Sequence, residues 1–295
     1  MSEPASERMR GAEAVRVEDE GAVRSLVLCR PEAYNTITPQ LREELSAALD
    51  EADRADSVRV VLLRAEGPAF CAGFALDWGT TAQAGEDARS RRAWDSMADL
   101  RMIGRFAGTW AELFELSKPT IAAVHGWCVA GGTDLVLNCD LIVAAESARF
   151  GYPPARVWGA PEATWTWVAC LGVERAKRYL LTGDELDGVE AARVGLVLEA
   201  VPDDRLQEHA AGLAARMARL PLNQLQMMKL LVNGVARAAY QPEASRTLSS
   251  LFDGVARHTQ EGLDFVARSE EVGWRQAVRE RDEPFGDYGA RPTGE

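Results

Sequence analysis

The sequence predicts an α/β fold, and three observations carry that prediction. Residues 58–63, 120–124 and 141–145 are short, predominantly apolar runs, the pattern of strands covered on both faces. Segments with apolar residues at helical spacing separate them, the first carrying Leu41, Leu45, Ala48, Leu49 and Ala52. Beyond Val201-Pro202 only helical periodicity remains. Strands alternating with helices imply a largely parallel sheet with helices packed on it, followed by an all-helical region.

Residues 1–14 are polar and read as a flexible N-terminus, and 15–202 as the core. Residues 22–29 form the first expected strand. Thr38-Pro39 then starts a helix, with Thr as the cap and Pro in the first turn, where a missing N–H costs nothing. Strand 58–63 runs into the small-residue loop Ala69-Phe70-Cys71-Ala72-Gly73-Phe74-Ala75-Leu76-Asp77. A long charged connection over 77–117, with Arg89, Arg91, Arg92, Trp94, Asp95 and Asp99, reads either as a solvated helix with an apolar underside or as a lid. Strand 120–124 leads into His125-Gly126-Trp127-Cys128-Val129-Ala130-Gly131-Gly132-Thr133-Asp134: a turn, a Gly pair, then a first helical turn bearing a carboxylate. His125 reads as a structural turn residue, and Trp127 as either core or channel lining. In the region 203–280, helices are expected over 206–220, 222–235 and 243–267, and the polar tail 281–295 is expected to be loosely ordered.

Composition narrows the function classes. With 295 residues, 47% of them hydrophobic, the chain can bury a substantial core. A net charge of −12 argues against nucleic acid, although a local basic patch can still hold phosphates. Five cysteines at 29, 71, 128, 139 and 170, without paired spacing, read as reduced thiols of a cytoplasmic protein. No stretch is long enough for a membrane span and no apolar signal core opens the chain, so no membrane partner is expected. No metal, nicotinamide or flavin motif is present.

The chemistry gathers at the two glycine loops. Glycines let backbone N–H groups approach a ligand, and two converging amides suit a developing oxyanion, with an acid/base residue three positions on from Gly131. Alone, a Gly pair before Asp reads more readily as a structural turn. Together, Arg30-Pro31-Glu32-Ala33-Tyr34-Asn35-Thr36-Ile37, Phe70-Cys71-Ala72-Gly73-Phe74, Ala130-Gly131-Gly132-Thr133-Asp134, Leu181-Thr182-Gly183-Asp184 and Ala191-Ala192-Arg193-Val194-Gly195-Leu196-Val197 resemble, in order and spacing, the crotonase superfamily of enoyl-CoA hydratases and isomerases.

That resemblance implies a spiral of β-β-α repeats with a C-terminal helical oligomerisation region, hence a homotrimer or hexamer. It implies an acyl-CoA thioester as substrate, with no further cofactor. Phe74 and Gly131 take the positions of the oxyanion donors, while Ala33, Tyr34, Ala72 and Leu76 match positions along CoA. Glu32 stands where a basic residue is common, leaving Arg30, Arg64 or a neighbouring subunit to meet the phosphates. Asp134 occupies the position of a catalytic Glu, one methylene shorter, or else it only caps its helix. The second hydratase Glu is replaced by Pro154, which cannot move a proton. Glu162, among Trp158, Trp165 and Trp167, is the candidate substitute, or else a solvent-facing neighbour of a helix start. The expected function is an enoyl-CoA hydratase-like enzyme. The alternatives are a Δ3–Δ2 enoyl-CoA isomerase using a single carboxylate, and a non-catalytic acyl-CoA-binding or assembly protein.

Overall fold

The computed structural model describes residues 13–75 and 95–288. Two sheets form the core. The larger is ordered β1-β2-β3-β5-β7-β10, from β1 (Val15–Glu20), β2 (Val23–Leu28), β3 (Val60–Ala65), β5 (Thr120–Val124), β7 (Leu141–Ala145) and β10 (Glu199–Val201). All its pairings are parallel except the β1/β2 hairpin. The smaller is ordered β4-β6-β8-β9, from β4 (Ala69–Cys71), β6 (Trp127–Val129), β8 (Arg149–Gly151) and β9 (Leu186–Asp187).

The chain steps from one sheet to the other across short corners at 66–68, 125–126 and 146–148, which gives the β-β-α spiral. Glycine makes the tightest corner possible: Gly126 has φ +56°, and a Cβ there would collide with the Pro68 carbonyl. His125 serves this corner, its Nε2 lying 2.8 Å from the Gly67 carbonyl. Central strands such as β5 are buried throughout, as their predominantly apolar character requires. The charge-bearing edge strand β1 alternates Val with Arg, Glu and Asp, and carried no apolar run to announce it.

Helix α1 (Pro39–Arg54) starts as expected: Thr38 accepts from the Leu41 amide and Pro39 opens the first turn. Its buried face is Leu41, Leu45, Ala48, Leu49 and Ala52. Helix α2 (Ser96–Glu115) follows the charged connection and is capped by Asp95. It is well anchored, burying Ile103, Phe106, Trp110, Leu113 and Phe114, so the apolar-underside reading describes this part. Arg89, Arg91, Arg92 and Trp94, on which the lid reading rests, lie outside the described residues, as does Leu76.

Short α3 (Gly131–Val136) follows β6, α4 (Thr164–Leu180) follows β8, and α5 (Gly188–Val194) follows β9. The C-terminal region departs from expectation in two ways. It holds five helices rather than three: α6 (Leu206–Met217), α7 (Leu222–Tyr240), α8 (Pro242–Ala256), α9 (Gln260–Val272) and α10 (Trp274–Asp282). The single helix expected over 243–267 breaks because Thr259 caps a new one, accepting from the Gly262 amide. Further, the first part of the expected loose tail is packed. Asp282 and Asp287 hold the buried Arg156 guanidinium at 3.1 and 2.6 Å, and the Phe285 ring lies 3.9 Å from it. The Tyr288 ring stacks near Trp127, its hydroxyl pressed on Gly151.

Candidate active site

Both glycine loops meet at the sheet corner. A Cβ at Gly132 would strike the Cys71 carbonyl, and one at Gly73 would lie 2.9 Å from the Ala130 methyl, so only glycine permits this approach. Ala130 sits at φ +53°, ψ −126°, a backbone state an L-residue holds only under strain, of order 1–3 kcal/mol. Its amide is pinned to the Gly151 carbonyl at 2.9 Å, which helps to hold that state. Thr133 locks the loop further, donating to the Cys128 carbonyl at 2.7 Å. The amides of Phe74 and Gly131 find no protein acceptor among the described residues. The Phe74 ring lies across Gly131, 2.7 Å from where a Cβ would stand, and meets Phe106 edge-on at 5.3 Å.

Two buried carboxyl groups adjoin these loops, one on the helix that Gly131 begins. Asp134, on α3, is 1% exposed and accepts the Ala163 amide at 3.1 Å through Oδ1. Its Oδ2 has no partner among the described residues. Glu162 is 5% exposed, so it is no solvent-facing neighbour of a helix start, and its Oε2 accepts the Ser250 hydroxyl at 3.0 Å. Burial pushes Asp134 up to about 7, against the pull of the Ala163 and Glu162 amides. Burial, then the charges of Asp134 and Asp253, push Glu162 further, to about 9. Tyr152, buried beside both, is also raised well above its ordinary range, chiefly by desolvation. Pro154 packs on Gly159, at the base of the loop that carries Glu162.

The structure therefore brings Phe74, Gly131, Asp134 and Glu162 to one place. Of the residues expected along CoA, Ala33 and Tyr34 adjoin Ala72, whose amide donates to the Tyr34 carbonyl at 3.1 Å. Tyr34 is exposed and Ala33 half-buried, so this loop presents an accessible edge beside the first glycine loop. Arg30 is buried against Thr38 at 3.3 Å, and Arg64 is bound to Glu18. Sequence reasoning did not find Ser250 and Asp253, which come from α8, nor Tyr152. For Ser250 and Asp253 the signal in the chain was their placement among the polar positions of an amphipathic helix. Among the described residues no group of three His, Cys, Asp or Glu is placed to hold a metal ion, and no helix is long and apolar enough to cross a membrane.

Comparison with known proteins places the chain in a family. The family described as enoyl-CoA hydratase/isomerase matches residues 18–276. An enoyl-CoA hydratase structure from Mycobacterium smegmatis shares 42% identity at a TM-score of 0.88, covering 96% of this chain and 97% of that one. A probable enoyl-CoA hydratase of Rhizobium meliloti is 33% identical, over 75% of this chain and 81% of that protein. A mitochondrial Δ(3,5)-Δ(2,4)-dienoyl-CoA isomerase of Dictyostelium discoideum is 30% identical, over 73% and 74%. With its spiral core, paired glycine loops and matching relatives, the chain belongs to the enoyl-CoA hydratase/isomerase family of the crotonase superfamily.

Proposed function

We propose that this enzyme hydrates a 2-enoyl-CoA, with Asp134 and Glu162 as its acid/base pair. The observation that carries this reading is the adjacency of two buried carboxyl groups whose surroundings push them apart. Asp134 gives up its proton near neutrality and Glu162 keeps its own, so one can serve as base and the other as acid. The thioester carbonyl oxygen binds between the Phe74 and Gly131 amides, which stabilise the enolate; one such donor is worth about 3–4 kcal/mol elsewhere. Asp134 takes a proton from water as the water oxygen bonds to carbon 3. Glu162 gives its proton to carbon 2 as the enolate collapses. The extra proton on Asp134 then passes to Glu162, restoring both groups, and the product is a 3-hydroxyacyl thioester. Protein amides and carboxyl groups carry every step, with the CoA thioester as substrate and no cofactor in the sequence.

Ala33, Tyr34 and Ala72 line the approach for pantetheine, and Leu76 continues that line in the sequence. The outward side chains of α7, including Leu230, Leu231, Val232 and Val235, are each more than 60% exposed, an apolar surface that a second copy of this chain would cover. A trimer or dimer of trimers fits that need. Five unpaired cysteines accord with a reducing cytoplasmic setting.

The test is mass spectrometry after incubation with matched 2-enoyl- and 3-enoyl-CoA panels. Gain of one water by a 2-enoyl substrate, lost in Asp134→Asn, is expected. A double-bond shift at unchanged mass would replace hydration with isomerisation, a reaction the same buried pair supports by carrying a proton between carbons. Binding without turnover across both panels would leave a carrier or assembly role.

A further inference from the structure

The loop that bears Glu162 is gripped along one face of α8. The hydroxyls of Thr164 and Ser249 lie 3.2 Å apart. Ser250 donates to Glu162 at 3.0 Å. The Asp253 carboxylate packs on Gly159, 3.6 Å from where a Cβ would stand. Arg257, at the helix C-cap, bonds Asp253 at 2.8 Å and stacks 5.2 Å from the Trp158 ring. Positions 249, 250, 253 and 257 share one side of a helix, so four contacts follow the loop in register. Along the adjoining strip α8 is wedged against α2, with Gly254 against Asp99 and His258 Nε2 3.0 Å from the Asp99 carboxylate.

We propose that α8 is a clamp on the acid, with Ser250 as the residue that positions the Glu162 carboxyl and the Asp253–Arg257 pair setting the charge it faces. The proposal rests on the reading of Glu162 as the acid of an acyl-CoA enzyme. It extends that reading by assigning a role to the C-terminal helical region that subunit contact does not supply. Bonds within that region would suffice if it served only as an interface, yet Ser250 is 2% exposed and spends its hydroxyl on a carboxyl group 88 residues away. The charged and titratable groups facing Glu162 are Asp134 from α3, Tyr152 from the end of β8, and Asp253 with Arg257 from α8. The Asp99–His258 pair stands one turn beyond.

The two neighbours act in opposite senses. Ser250 donates to the carboxyl and so favours its ionised form, whereas the Asp253 charge disfavours it. Ser250→Ala is therefore expected to move the ionisation of Glu162 to higher pH, and Asp253→Asn to lower pH. Infrared spectroscopy of the full-length protein reads this without turnover, through the protonated-carboxyl band that Glu162→Gln removes. In Ser250→Ala the band should also rise in frequency as the hydrogen bond is lost, and Ser250→Thr should restore both band and midpoint. Kinetically, Ser250→Ala should lower kcat about tenfold with KM little changed, because the acid is misaimed while the thioester grip stays.

An unchanged band and midpoint in Ser250→Ala would overturn the proposal, as would shifts of the same sign in Ser250→Ala and Asp253→Asn. A native circular-dichroism spectrum and melting curve for Ser250→Thr identifies a folding failure of the alanine variant, and the Asp253→Asn shift then decides. If no enoyl-CoA panel is turned over, the acid role of Glu162 fails while the infrared result still reports whether α8 holds its carboxyl.

Discussion

Asp134 and Glu162 lie side by side at nearly equal burial, yet different parts of the chain hold them. Asp134 stands on a helix fixed by the sheet corner, with Thr133 bonded to the Cys128 carbonyl on one side and Asn138 bonded to the Asp134 carbonyl on the other. Glu162 stands on a loop that Asp134 holds at the Ala163 amide and that α8, far along the sequence, grips by its side chains. The first site is built into the spiral and the second is assembled on it. The surroundings of Glu162 can therefore be altered through α8 without a substitution in the glycine loops. The difference also divides the labour of burial: the sheet core desolvates Asp134, whereas Glu162 is desolvated only once the C-terminal helices have docked.

Replacing either carboxyl tests the comparison most severely. Asp134→Asn and Glu162→Gln should each reduce kcat by about 10²–10⁴-fold, the usual worth of a positioned proton donor or acceptor. Initial rates of hydration would show whether one loss is far smaller, in which case the pair does not act together. Next in size is the packing beneath Asp134. Gly132→Ala drives a methyl into the Cys71 carbonyl, and urea denaturation should show a loss of about 1–3 kcal/mol, the ordinary cost of overpacking.

A pH series separates the two groups. Hydration must have Asp134 ionised, so kcat should rise with pH through about 7, and Glu162 protonated, so it should fall through about 9. The pair titrates as a unit, so both limbs belong to it jointly. Stability carries the same sign. A carboxyl group raised on folding stabilises the native state fully below its unfolded value, near 4, and loses that contribution as pH rises through its folded value. Melting temperature should therefore decline from pH 5 to 9 in the wild type and less steeply in Glu162→Gln. Parallel slopes would show that Glu162 is not held protonated. The smallest effect expected is from Val232→Asp on the α7 face: turnover per chain little changed, but sedimentation shifted toward smaller species.

Much of the spiral was legible because it is written in local terms. Residues 120–124 and 141–145 are predominantly apolar runs, and Thr38-Pro39 states a helix start outright. The glycine loops were legible through their spacing, since a close approach of two backbones leaves few residue choices. Ser250 and Asp253 were not, because a small polar residue on an amphipathic helix looks the same whether it faces water or a buried carboxyl. The break between α8 and α9 was hidden for a related reason: Arg257-His258-Thr259 contains neither Gly nor Pro, and only the geometry shows Thr259 capping a new helix. Polar composition likewise made 281–288 look free, although its acids are polar because they neutralise Arg156.

That last contact bears on the order in which the enzyme comes into being. Translation delivers the glycine loops and Asp134 early, then Glu162, then the helix that grips it, and only afterwards Asp282, Asp287 and Tyr288. Before then the counter-charge beside Arg156 is the half-buried Asp184 at 3.6 Å, and the two closer acids join it only when they leave the ribosome. A nascent chain that has finished its spiral thus still lacks the helix that grips Glu162 and the closest partners of Arg156. Activity should appear abruptly once residues 282–288 have emerged rather than growing with chain length.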